Sequence, residues 1–233
     1  MVGFLKKNGD TFTCGDDIAV IEGFNQTVLT AERVALNFMS HLSGVATLTS
    51  RFVKKIHDAG CSHCKIVDTR KTIPGLRRLQ KAAVLHGGGV NHRMGLYDMV
   101  LIKDNHVAAA GSITRAVELM REYLKTPEFR LQFDVKAENI QIECEVTNEA
   151  QMNAAIECGI KKLLLDNQSI ESLKKLVQLA KKLNPEVKLE ASGGVTLDSV
   201  ADIARTGVDF ISIGALTHSA PAVDFSLEVT ESQ

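Results

Sequence analysis

The chain has 233 residues, of which 45% are hydrophobic and 24% charged, a length that suits one globular unit or a barrel with an appendage and a balance that excludes collagen-like, disulfide-scaffold and disordered classes. Its 27 Lys+Arg against 28 Asp+Glu leave a formal net charge of -1, which offers no general attraction to nucleic acid or to an anionic membrane. With no Trp, two Tyr and nine Phe, a row of stacking platforms for single-stranded nucleic acid is excluded as well.

The N-terminal MVGFLKKNGD lacks the apolar core of a signal peptide, and no run has the length of a membrane span, so a soluble, cytoplasmic protein is expected. Val2 to Lys7 and Ile18 to Glu22 read as short strands joined by turn-rich sequence. A long helix follows from about Leu29, with Ser43-Gly44 as the point where it would break. Cys61-Ser62-His63-Cys64 has the spacing of a redox or zinc half-site. No second ligand pair follows it, so these read as ordinary thiols before a strand.

From there, β-rich runs alternate with helical patterns. Strands are expected at Cys64 to Asp68, Met99 to Lys103, Ile140 to Glu145, Leu163 to Asp166, Val187 to Glu190 and Phe210 to Ile213. Helical spacing is clearest over Ser169 to Leu183 and recurs over Asn148 to Cys158 and Leu197 to Ala204. Val223 to Val229 alternates like a further strand returning toward the N-terminus. Strands separated by helices imply parallel pairing, hence a doubly wound sheet or a β/α barrel. Strand after strand ends in polar residues, which a barrel would gather at one mouth, whereas an open sheet would concentrate its chemistry at one switch point. A barrel is therefore expected, with fewer than eight strands.

The near-zero charge conceals a basic centre: Lys65 to His106 carries +5 and the remainder -6. A solvated helix face accounts for Arg77, Arg78 and Lys81. It does not suit Arg70, Lys71, His92, Arg93 and Lys103, at strand ends or in the loop from Gly87 to Gly95, where a barrel would aim them inward at a ligand with several carboxylates or phosphates. Glu145 and Asp166 end successive strands, and such a pair either holds Mg²⁺ and sugar hydroxyls or caps structure, with nothing in the spacing to choose. Ser192-Gly193-Gly194 ahead of a helix, and Gly214 after the next strand, suit backbone contact with phosphate. Lys103 also admits a Schiff-base reading, as in aldolases. His92 and His218 lie in candidate site loops, His41, His57, His63 and His86 read as surface or packing residues, and His106 is undecided.

Several segments together carry a resemblance. Ala31 to Asn37 (AERVALN), Leu42 to Thr47 (LSGVAT), Asp68 to Arg77 (DTRKTIPGLR), Gly87 to Arg93 (GGGVNHR), Leu101 to His106 (LIKDNH), Leu165-Asp166-Asn167 and Glu190 to Val195 (EASGGV) resemble, in order and spacing, the signature segments of the quinolinate phosphoribosyltransferase family. The resemblance implies conversion of quinolinate and phosphoribosyl pyrophosphate to nicotinate mononucleotide, pyrophosphate and CO₂, with Mg²⁺. It implies an open, incomplete β/α barrel with a truncated N-terminal α/β sandwich domain: sandwich residues and the long helix over 1–45, catalytic barrel over 46–222, and a returning strand over 223–233. A homodimer in which one subunit covers the other's barrel mouth is also implied.

Carried over position by position, Arg70, His92 and Arg93 would hold the quinolinate carboxylates with Arg33 from the partner chain, and Lys71 and Lys103 would neutralise the phosphoribosyl pyrophosphate. Glu145 and Asp166 would meet the ribose hydroxyls and Mg²⁺, and Ser192, Gly193, Gly214 and His218 the 5′-phosphate. No dominant proton donor is legible, so positioning and electrostatics are expected to carry the reaction. Two rivals share the fold: a paralogue of the molybdenum-transport-associated type acting on another aromatic acid, and a truncated form that binds ligand without turnover.

Overall fold

The computed structural model describes residues 1–132 and 140–229. Strands β1 (Val2–Phe4) and β2 (Ala19–Ile21) pair antiparallel, with Val2 opposite Ile21. Both are short and mostly exposed, so their ribbon draws little stability from burial. Helix α1 runs from Asn25 to Asp58 without interruption. Its C-terminal half buries Val45, Phe52 and Ile56 in the core, while Leu29, Val34 and Phe38 on the other half stay exposed. The break expected at Ser43-Gly44 is absent. Gly44 serves close packing instead: a Cβ there would collide with the Pro221 carbonyl, so the small residue lets a later segment lie against the helix.

The remaining elements alternate. They are β3 (Lys65–Val67), α2 (Arg77–His86), β4 (Met99–Ile102), α3 (Asp104–Ala110), α4 (Ile113–Leu124), α5 (Pro127–Gln132), β5 (Gln141–Val146), α6 (Glu149–Glu157), β6 (Lys162–Asp166), α7 (Ile170–Leu183), β7 (Lys188–Ser192), α8 (Val200–Ala204), β8 (Phe210–Ser212) and α9 (Ala215–His218). Side chains of Ser112, Asn148 and Ser169 cap α4, α6 and α7 by accepting a backbone N–H three residues on, which fixes where each helix starts.

The six strands of the main sheet are all parallel and lie in the order β3-β8-β7-β6-β5-β4. From β4 to β8 each strand pairs with its neighbour in sequence, and β8 then pairs with β3, so the sheet curls in one direction with no switch point. On the free side of β3 the chain forms a parallel bridge, Val67 to Val90, which leaves the seam between this segment and β4 open. The architecture is the expected open β/α barrel.

Period-2 alternation sorts the side chains. Cys144, Leu163, Leu165, Leu189, Ala191 and Ile211 face outward and join the helices in one hydrophobic core. The alternate positions of β5 to β7, Glu143, Glu145, Lys162, Asp166, Glu190 and Ser192 with Leu164 among them, face inward, so this part of the barrel interior is largely polar. The segment 223–229 forms no strand: it returns to the N-terminal part through a Val223 N–H donated to Ser40 O at 3.0 Å and a Phe12–Phe225 ring contact. With a single backbone hydrogen bond there is no ladder. Residues 230–233 of that expected strand lie outside the described residues.

Candidate active site at the barrel mouth

At the C-terminal ends of the strands, Lys103 Nζ donates to Glu145 Oε2 at 3.1 Å, joining the end of β4 to β5. Asp166 at the end of β6 accepts from Asn167 Nδ2 at 2.6 Å and from Ser192 Oγ at the end of β7. Asn167 has a left-handed φ of 51°, and Gly193 follows with φ 97°. A Cβ on Gly193 would overlap the Asn167 carboxamide, so this turn needs glycine. Lys71, Gly214 and His218 come together as well: Lys71 Cδ and His218 Nε2 lie 3.1 and 3.2 Å from where a Gly214 Cβ would project. Thr217 Oγ1 donates to Lys71 O at 2.8 Å, tying the β3 loop to α9.

Arg70 and Arg93 form a second centre. Arg93 Nη1 donates to Met99 O at 3.2 Å across the open seam. Burial, and then the like charge of Arg70, lowers the Arg93 pKa from its usual value. Arg70 Nε is buried with no hydrogen-bond partner among the described residues. Both observations describe positive charge crowded in a partly buried setting. Arg33 stands exposed on α1, 3.6 Å from Glu32.

Beneath these lies a group of which sequence reasoning identified only His92. His92 Nε2 is 3.0 Å from Glu143 Oε2 and 3.4 Å from Glu190 Oε1. Lys162 Nζ lies 2.6 Å from Glu190 Oε2 and 3.4 Å from Glu143 Oε1, with Phe210 at 5.0 Å. Burial works against charge on His92, but its bonds to Glu143 and then Glu190 outweigh it and push the pKa up to about 9. Burial likewise opposes charge on Glu190, yet His92 and Lys162 hold its carboxyl well below the usual range. Nδ1 of His92 accepts from the Arg93 N–H at 2.9 Å, so both ring nitrogens are committed inside the protein. A cavity of about 220 Å³, lined in part by Asn91, Gln141, Lys162 and Lys188, opens beside this group toward the N-terminal strand ends. The signal available in the sequence was the parity of Glu143 and Glu190 on expected strands, and of Lys162 just ahead of one: each shares a face with a mouth residue.

The basic helix face divides. Arg78 is exposed as expected, but Lys81 is fully buried, ion-paired with Asp68, and donates to His92 O at 2.8 Å. Arg77 turns back to donate to Thr72 Oγ1, Met94 O and Arg70 O, bracing the loops that carry the cations. The pattern misleads because α2 packs along α1 and its Lys81 meets the carboxylate of Asp68 just after β3. His106 Nδ1 accepts from the Lys103 N–H at 2.9 Å and closes the start of α3. Lys103, ion-paired and about half exposed, lacks the dry apolar setting that Schiff-base chemistry needs. Cys61 and Cys64 are buried free thiols, and burial pushes Cys64 up to about 12.

Fold and site together define a β/α-barrel protein whose mouth gathers cationic side chains beside two carboxylates. Residues 45–228 match the family model of the quinolinate phosphoribosyl transferase C-terminal domain and residues 1–43 that of its N-terminal domain. The chain belongs to the quinolinate phosphoribosyltransferase family. It is 44% identical to a chloroplastic carboxylating nicotinate-nucleotide pyrophosphorylase of Arabidopsis thaliana, covering 98% of this chain and 65% of that protein. It is 42% identical to a probable enzyme of the same name from Bacillus subtilis, covering 97% and 72%. Among solved structures, NadC from Streptococcus pyogenes superposes with a TM-score of 0.86 at 35% identity over 98% of this chain and 75% of that one. The nicotinate-nucleotide pyrophosphorylase of Francisella tularensis gives 0.84 at 40% identity over 96% and 73%. The chain thus spans about two thirds to three quarters of the length of these relatives.

Proposed function

We propose that the chain transfers the phosphoribosyl group of phosphoribosyl pyrophosphate to the ring nitrogen of quinolinate, with loss of pyrophosphate and CO₂, yielding nicotinate mononucleotide. The observation that carries this reading is the crowding of like charge at Arg70 and Arg93 around a buried, unpartnered guanidinium N–H. A ligand with two adjacent carboxylates relieves both the repulsion and the lost hydrogen bond.

In this reading Arg70 and Arg93 take the carboxylates, joined by the partner subunit's Arg33 in a homodimer. Lys71 and Lys103 offset the charge of the pyrophosphate, so that two anions can be held with nitrogen against the anomeric carbon. As pyrophosphate leaves, positive charge grows on the ribosyl carbon, and Glu145 and Asp166 supply carboxylates to stabilise it. Ser192, Gly193, Gly214 and His218 form the phosphate turn.

The same two carboxylates suit Mg²⁺, a hard cation that binds through one or two carboxylates plus substrate phosphates. Asp166 and Glu145 supply such oxygens, with Lys103 as the present partner of Glu145. Bound there, the ion would screen the leaving pyrophosphate. Once the ring nitrogen is quaternary, the adjacent carboxylate leaves as CO₂ and its electron pair stays on the ring carbon, stabilised by the neighbouring positive nitrogen and then protonated. No helix among the described residues is long and apolar enough to cross a membrane, and the reading places the reaction in the cytoplasm.

The test is incubation of purified protein with both substrates and Mg²⁺, following CO₂ and mononucleotide. Equal release of mononucleotide, pyrophosphate and CO₂ is expected. Quinolinate binding without turnover identifies the ligand-binding form, and turnover of a different aromatic acid identifies the paralogue.

A further inference from the structure

The buried group under the mouth has no place in the reaction as just described, yet burying four ionisable side chains is costly unless each is paired. Glu143 of β5, Lys162 of β6 and Glu190 of β7 fill adjacent inward positions of the barrel, Glu143 standing opposite Lys162 and Glu190 opposite Leu164 in register. Their donor atoms and His92 Nε2 crowd together, and the nitrogen and carboxylate oxygens of His92, Glu143 and Glu190 lie within 4.8 Å of one another, as metal ligands would. Lys162 Nζ at 2.6 Å from Glu190 already supplies the cation there.

His92 is the member that reaches the mouth, and it does so through the backbone, its Nδ1 accepting from the Arg93 amide. Its own backbone is held from the other side: its N–H donates to Asp68 Oδ1 at 2.9 Å and its carbonyl accepts from Lys81. Among the described residues, the charged groups facing the ring and its backbone are therefore Glu143, Glu190, Lys162, Asp68, Lys81 and Arg93.

We propose that Glu143 and Glu190, with Lys162 between them, are positioning residues: they fix the His92 ring and, through it, the Arg93 backbone, setting the guanidinium that receives quinolinate. This rests on the proposed reaction for the identity of the ligand. The carboxylates draw His92 toward the doubly protonated ring, while the Arg93 N–H aimed at Nδ1 favours the neutral one. A proton on Nε2 is common to both states, and it is this N–H that the carboxylates hold.

The decisive variant is Glu143→Gln, which keeps shape and removes charge, alone and combined with His92→Asn, whose amide oxygen can still accept near the Nδ1 position. Calorimetry with quinolinate is expected to show affinity reduced roughly ten- to hundredfold by Glu143→Gln, phosphoribosyl pyrophosphate affinity unchanged, and no further loss when the change is made on His92→Asn. Nitrogen NMR of the ligand-free protein is expected to show His92 losing its proton at lower pH in Glu143→Gln than in the parent. Additive losses, equal loss for both substrates or an unmoved His92 titration would overturn the proposal. Glu190→Gln repeats the test if melting curves show Glu143→Gln misfolded. A parent protein that binds no quinolinate sinks the assigned reaction instead, and the NMR titration, read without substrate, then decides whether the network holds His92.

Discussion

Asp68 and Lys81 form an ion pair in which neither side chain meets solvent. Burial pushes the Asp68 carboxyl up, while the hydrogen bond and charge of Lys81 pull it down. Turned to donate, the Asn91 carboxamide also reaches Asp68 Oδ2 at 2.6 Å. Lys81→Met leaves that carboxylate buried without its cation and is expected to cost about 3–5 kcal/mol, whereas Asp68→Asn with Lys81→Met, which removes the charge and keeps an acceptor for the His92 N–H, recovers part of the loss. Urea denaturation with the midpoint compared at unchanged slope measures both.

Gly193→Ala is expected to damage the turn proposed to hold the 5′-phosphate without touching the cation centre. The added methyl meets Asn167 and the backbone must hold φ 97°, a strain on the order of 1–3 kcal/mol. Binding of phosphoribosyl pyrophosphate is expected to weaken while quinolinate binding, measured separately by calorimetry, stays near the parent value.

Arg70→Lys retains charge and loses the fork of donors. Because the Nε of Arg70 is the buried donor awaiting a partner, quinolinate affinity is expected to fall by roughly tenfold or more, the worth of a charge-assisted hydrogen bond. An unchanged dissociation constant would mean that the carboxylates bind elsewhere.

The His92 pKa, raised in the folded state to about 9 from an unfolded value near 6.5, links protonation to stability. Its contribution is fully present below about pH 6.5 and is lost as pH rises through about 9. Between those limits the melting temperature is expected to fall more in the parent than in Glu143→Gln, where less of the upward shift exists to be lost.

The barrel was legible because outward positions such as Leu163, Leu165 and Leu189 give short apolar runs between capped helices, and because polar residues recur at strand ends. Those ends also exposed Lys103, Glu145, Asp166 and Ser192. The inner layer was hidden: Glu143, Lys162 and Glu190 are ordinary surface residue types, and their burial follows from curvature that no local pattern encodes. Lys81 misled for the same reason, since a lysine on a helix face has no local mark of the carboxylate that β3 will bring beside it. The strand expected over 223–229 failed because alternation describes side-chain direction and says nothing of whether an edge is available to pair.

Helix α1 belongs to both family segments, matching one up to residue 43 and the other from residue 45. Thirty-four residues in one unbroken helix make a rod of roughly 50 Å, anchored at one end in the barrel core and carrying Arg33 toward the other. With Pro221 seated against Gly44 at mid-length, tilt at either end is transmitted to the other as a lever transmits it. In the proposed homodimer the reach of Arg33 toward the neighbouring mouth would therefore be set by how the barrel core grips Val45, Phe52 and Ile56, and loosening that grip would misplace an arginine several helical turns away.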